Sequence, residues 1–151
     1  MLSDNVIKYI DQSVLCWLAT ASLDAMPNVS PKEIFAKFGL DTIIIANIAS
    51  PQSVKNIKEN ENVCVSFIDI LVQKGYQITG TAQILKAGNT EYAACEVILQ
   101  KMTFGKYPFS SIIKIKAKKV KEIAAPSYIM YPATTEKEQI ENAKKAYRMH
   151  L

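Results

Sequence analysis

The sequence predicts a mainly β, α+β domain: a small antiparallel barrel decorated by helices. Three observations point there. Six β-type segments, rich in β-branched and aromatic residues, recur along the chain. Hairpin-type turns and helices separate them without the regular βαβ alternation of a parallel sheet. The 151 residues, 49% hydrophobic and 21% charged with five glycines and six prolines, suit one compact core, and no linker offers a place to cut, so residues 1–151 read as a single domain.

The elements follow in order. Residues 3–12 form a short amphipathic helix with Ser3 as N-cap, Asp4 near its positive end, and Val6, Ile7 and Ile10 on one face. Residues 14–22 are a strand, with Trp17 expected in the core. The turn at 23–27 leads to a second strand over 28–38, and Gly39-Leu40-Asp41 turns into a third over 42–48, giving an antiparallel meander. Ser50-Pro51-Gln52-Ser53 starts a helix that runs to about Asn60, with Val54 and Ile57 inward. Strands over 63–69 and 73–85 come next, the latter with a bend or bulge at Gly80. A helix over 89–103 sets Tyr92, Cys95, Leu99 and Met102 on one face, and a final strand covers 111–123. The C-terminal helix, about 135–148, has Ile140, Ala143 and Tyr147 on one side, with early acids and late Lys144, Lys145 and Arg148.

Composition removes several functions. A net charge of +4 is mild for a nucleic-acid binder, and Arg148 is the one arginine among 18 cations, so guanidinium-based reading of DNA has little to work with. No apolar run reaches the ~18 residues that span a membrane, and the start lacks a basic segment followed by an apolar one. A cytoplasmic protein with no membrane or nucleic-acid partner is expected. Cys16, Cys64 and Cys95 are widely spaced and read as buried reduced thiols. His150 is the one histidine, which leaves a zinc site or a Ser-His-Asp triad without its imidazole.

Two candidate sites remain. Residues 47–56 put Asn47, Ser50, Ser53 and Lys55 around a helix N-terminus that follows a buried strand, a ready place for a phosphate. Equally, Ser50 is a plain cap and Lys55 a solvated side chain. The second is Lys32 in Val29-Ser30-Pro31-Lys32-Glu33, where Pro31 cannot donate to a ladder and implies an edge or irregular strand. Free backbone groups there could bond a planar heterocycle, or Lys32 and Glu33 could form a solvated pair. Lys114, Lys116 and Lys118 alternate with Ile113, Ile115 and Ala117 as the solvent face of a strand. Phe104, Tyr107 and Phe109 line a pocket or anchor a loop. Tyr128, Met130 and Tyr131 fall in a non-periodic segment suited to a partner subunit or a flat ligand.

The succession Trp17-Leu18-Ala19-Thr20, Pro27-Asn28-Val29-Ser30-Pro31-Lys32-Glu33, Ser50-Pro51-Gln52-Ser53-Val54-Lys55-Asn56-Ile57, Asn62-Val63-Cys64-Val65-Ser66-Phe67 and Gly80-Thr81-Ala82 resembles the pyridoxamine-phosphate oxidase-like FMN-binding split-barrel proteins. The likeness covers about residues 5–125, and the tail from Pro126 to Ile140 looks like that of a small-protein branch of the family. The resemblance implies a six-stranded antiparallel split β-barrel with peripheral helices, acting as a homodimer with one FMN in each of two clefts between subunits. Val29, Ser30, Pro31 and Lys32 would run along the ring and ribityl chain. Ile45, Ala46 and Asn47 with Ser50, Ser53 and Lys55 would hold the phosphate. Gln73, Lys74 and Gly75 of the other subunit would approach the ring across the interface.

Departures from the family pattern matter too. Gln52-Ser53 stands where a lysine or arginine is common, and Asn47 where a threonine is, so Lys55 or Lys32 would have to supply the positive charge. The arginine-rich C-terminal signature that binds pyridoxamine phosphate has no counterpart, which argues against that oxidation. The expected function is an FMN-dependent oxidoreductase of unknown substrate, with NADH or NADPH as a possible donor and no side chain standing out as acid or base; Tyr107 and Lys74 come nearest. The alternatives are a non-catalytic carrier of FMN or another cofactor such as haem and, behind it, a barrel for single-stranded nucleic acid.

Overall fold

The computed structural model describes residues 1–150. Its strands are β1 (Cys16–Ala21), β2 (Pro27–Lys32), β3 (Phe35–Phe38), β4 (Thr42–Ala46), β5 (Asn62–Asp69), β6 (Lys74–Lys86) and β7 (Ser111–Ala124). Helices are α1 (Asp4–Gln12), α2 (Pro51–Glu59), α3 (Tyr92–Thr103), α4 (Pro126–Met130) and α5 (Glu136–Ala146). All the strand pairs are antiparallel, in the order β2-β1-β5-β6-β7-β4-β3. The class is the expected one, with seven strands in place of six.

The extra strand comes from a break. Residues 28–38 read as one strand, yet β2 pairs with β1 at one end of the sheet and β3 with β4 at the other. Asn28, Ser30 and Lys32 turn inward at even positions, whereas the next inward residue is the buried Phe35. A side-chain period of two cannot make that switch without an irregularity, and Glu33-Ile34 supplies it. Consecutive segments at opposite ends of one sheet bring those ends together, which is how the sheet curls into a barrel. The expected meander is therefore replaced by two hairpins at the two ends.

The interior holds Leu18, Phe35, Ile43, Ile45, Val65, Phe67, Ile78, Ile113 and Ile115, with α1 adding Val6, Tyr9 and Ile10. A second core lies outside the wall, where α3 presses Tyr92, Cys95 and Leu99 on Ile44, Ala46, Leu85 and Ile112. This double cover explains why Thr42-Ile43-Ile44-Ile45-Ala46 is apolar without alternation and buried throughout. At Gly80 the β6–β7 register shifts, as the sequence suggests; a Cβ there would stand 2.1 Å from the Lys116 carbonyl oxygen.

Four expectations need correction. Trp17 is 48% exposed, because it alternates with the buried Cys16 and Leu18. Met102 is exposed and Thr103 takes the buried position at the end of α3. Cys64 is half-buried, whereas Cys16 and Cys95 are buried. The segment after β7 contains α4, five residues that are too short to show a helical period.

Candidate functional site

The two candidate regions meet. Lys32, at the end of β2, points inward and is 7% exposed, and its Nζ donates to Ser30 Oγ at 2.7 Å and to Ser50 Oγ. Ser30 Oγ in turn lies 3.2 Å from Ser53 Oγ, on the buried face of α2. Asn28 reaches Ser53, and Asn56 donates to Thr20 at 3.0 Å. Ser50 occupies the N-cap position without capping, since its hydroxyl faces Lys32 instead of the helix amides. Pro51 begins α2 and carries no N–H, so the N-terminal turn offers its donors from Gln52 onward.

Lys32 has no carboxylate within 4.0 Å among the described residues. A buried ammonium held only by neutral hydroxyls is costly, and burial pushes the Lys32 amine below its ordinary value. The cluster opens on a cavity of about 390 Å³ lined by Ser30, Lys32, Ala46, Ile48, Ser50 and Tyr107, with Pro31, Glu33, Ile34 and Ala49 completing the wall. One end is therefore cationic and rich in donors, while the walls are mostly apolar, with Glu33 as their one acidic residue. A hollow of similar size near Asp41 differs, because its lysines Lys114 and Lys116 already face Glu91 and Asp41.

The other expected site residues divide. Val29 is exposed on the outer face of β2, and Pro31 lies on the edge beside Trp17. Ala46 lines the cavity, but Ile45 faces the barrel interior and offers no side-chain contact. Asn47 turns toward β7: its N–H donates to the Ser111 carbonyl at 3.0 Å and its Nδ2 to Ser111 Oγ at 2.8 Å, leaving a buried Oδ1 without a partner. Lys55 is on the exposed face of α2, so the positive charge comes from Lys32. Gln73, Lys74 and Gly75, expected to act from the other subunit, lie at the β5–β6 turn of their own chain, against α4 and α5. Thr20, Asn28 and Asn56 were missed as members of the cluster. The signal for Asn56 was its spacing of three from Ser53, which puts two polar residues on the inward face of a short helix.

A curled antiparallel sheet closed through β2 and β3, with Lys32 and its hydroxyls at one end of a cavity, defines a split-barrel protein. The pyridoxamine 5'-phosphate oxidase family model matches residues 2–124, and the chain belongs to that family. Among solved structures, HupZ from Group A Streptococcus is 24% identical, with a TM-score of 0.67 over 80% of this chain and 92% of that one. An FMN-binding protein from Syntrophomonas wolfei is 18% identical, with a TM-score of 0.66 over 80% and 84%. HutZ, the heme storage protein from Vibrio cholerae, is 14% identical, with a TM-score of 0.63 over 81% and 94%. At these identities the likeness is one of fold. No match was found among curated proteins.

Proposed function

We propose that this chain binds FMN in the Lys32 cavity, as a homodimer, and works as a flavin-dependent oxidoreductase. The observation that carries the reading is the buried, uncompensated Lys32 ammonium at one end of an apolar cavity. A terminal phosphate supplies the missing negative charge, and Ser30 and Ser50, which line the cavity, supply hydroxyls around it, with the buried Ser53 behind Ser30. The donor set thus fits a phosphomonoester. Ile34, Ala46, Ile48 and Tyr107 offer apolar and aromatic surface to the flat remainder of the ligand. Bound FMN would supply electron transfer, while these residues hold it, orient it and keep water off one face.

The homodimer is supported by the outer sheet face. By register Trp17, Ala19, Val29, Pro31 and Cys64 share it, with Trp17 48% and Val29 56% exposed. Pro31 belongs both to this face and to the cavity wall, so a second copy seated here would complete the cleft. A flat ligand is then enclosed from both sides.

The test is the absorption spectrum of the purified protein and the identity of what denaturation releases. A flavin spectrum and released FMN are expected. Bleaching by NADH or NADPH with turnover marks an enzyme, and loaded protein inert to both and to other reductants marks a carrier. A haem spectrum would favour the reading suggested by HutZ, for which His150 is the one imidazole available.

A further inference from the structure

The loop from α3 to β7 brings one aromatic ring to the Lys32 cavity. At the end of α3 the buried Thr103 holds the loop's start: its Oγ1 donates to the Gln100 carbonyl at 3.0 Å and accepts from the Gly105 amide at 3.3 Å, and its carbonyl accepts from the Lys106 amide at 3.0 Å. Phe104 and Gly105 then take the left-handed region, at φ 49 and 70, which turns the chain off the helix. For Phe104 that backbone is strained, and its exposed ring gains no burial in return.

The far end of the loop is held as well. Phe109, like Ile34, packs against the second core, to which Ala46 belongs, and Ile34 and Ala46 also line the cavity. Pro108 disfavours helical backbone at the residue before it. That residue is Tyr107. Hung between the two anchors, it is the one aromatic side chain on the cavity wall, and it stays 57% exposed. Lys32, by contrast, is enclosed with its hydroxyls. The cavity therefore has a buried polar end and an aromatic rim, and the apolar face of the rim is left for a ligand to cover.

We propose that Tyr107 is the residue by which this cavity selects among phosphomonoesters, stacking on those that carry a flat aromatic group. This rests on the FMN reading and adds a division of labour to it. The Lys32 end recognises the phosphate whatever is attached to it, and Tyr107 recognises the ring. Specificity is then the difference between two affinities, and stacking supplies about fivefold to a hundredfold of it.

The experiment titrates the cofactor-free parent, Tyr107→Leu and Tyr107→Phe with FMN, followed by flavin fluorescence, and measures ribitol 5-phosphate, which keeps the chain and phosphate but lacks the ring, by its displacement of FMN. Tyr107→Leu should bind FMN about fivefold to a hundredfold more weakly, with affinity for ribitol 5-phosphate unchanged. Tyr107→Phe should keep the affinity for FMN while the bound flavin becomes brighter, because a stacked phenol quenches an excited flavin by electron transfer and a phenyl ring does not. Undiminished FMN binding by Tyr107→Leu, equal loss of both ligands, or a parent that binds both equally overturns the role of Tyr107 and leaves the cofactor reading standing. A parent that takes up no FMN overturns both.

Discussion

A lysine enclosed by hydroxyls and amides lacks the solvation that water gives an ammonium, and the scaffold around Lys32 offers no carboxylate in its place. Replacing it with a flat, uncharged chain of similar length separates its two effects. Lys32→Met should weaken FMN binding by about tenfold to a hundredfold, the range for a lost hydrogen bond to a charged group. The ligand-free protein should be equally or more stable, because the desolvation penalty goes with the charge. The pH dependence has a definite sign. The folded-state pKa lies below the ordinary value of 10.5, so the unfolded chain binds more protons between the two values. The Lys32 contribution to stability is therefore unfavourable at neutral pH and is relieved as pH rises toward 10.5. Urea denaturation of parent and Lys32→Met should show the gap between them narrowing over that window. In the sequence Lys32 was legible as a candidate because of Pro31 beside it, and its inward direction follows from alternation with Ser30. Which lysine served the helix start was not legible: Lys55 is closer in sequence, but a helix of 3.6 residues per turn carries it away from the buried Ser53–Asn56 face.

Elements were read well wherever a period ran long enough to show itself. The helices α1, α2, α3 and α5 and the long strands β6 and β7 fall within a few residues of their sequence limits. The failures are short-range. A two-residue corner at Glu33-Ile34 divides one apparent strand, and nothing in its composition marks it as a turn. The five residues of α4 are held by tertiary hydrogen bonds more than by their own pattern. Two glycines show where backbone proximity, which a one-dimensional reading sees poorly, decides the element. A Cβ on Gly75 would meet the Phe67 carbonyl oxygen at 2.0 Å, and one on Gly80 the Lys116 oxygen at 2.1 Å. Gly80→Ala should lower unfolding free energy by at least the roughly 1–3 kcal/mol typical of overpacking, since rigid backbone must shift, and urea titration would read it directly. Gly75→Ala should do the same while also disturbing the Gln73–Lys74 turn.

At the scale of the molecule, closure of the barrel through β2 and β3 brings Lys32 at one end of the sheet order beside the start of α2, which follows β4. No local pattern foretells that meeting; it comes from the sheet's ends being consecutive in the chain. The same closure leaves Trp17 and Val29 on an outer face next to the cavity. Trp17→Glu should convert the proposed dimer to monomer in sedimentation velocity and weaken FMN binding with it, while a monomeric parent at micromolar concentration would contradict the shared cleft. The central claim is that the Lys32 cluster holds the phosphate of FMN. Equilibrium titration of cofactor-free parent and Lys32→Met with FMN, followed by flavin fluorescence and repeated with inorganic phosphate as competitor, tests it most directly. One FMN per chain, displaced by phosphate and bound at least tenfold more weakly by Lys32→Met, is the predicted result. Parent protein that takes up no FMN, or takes it up as tightly without Lys32, would contradict it.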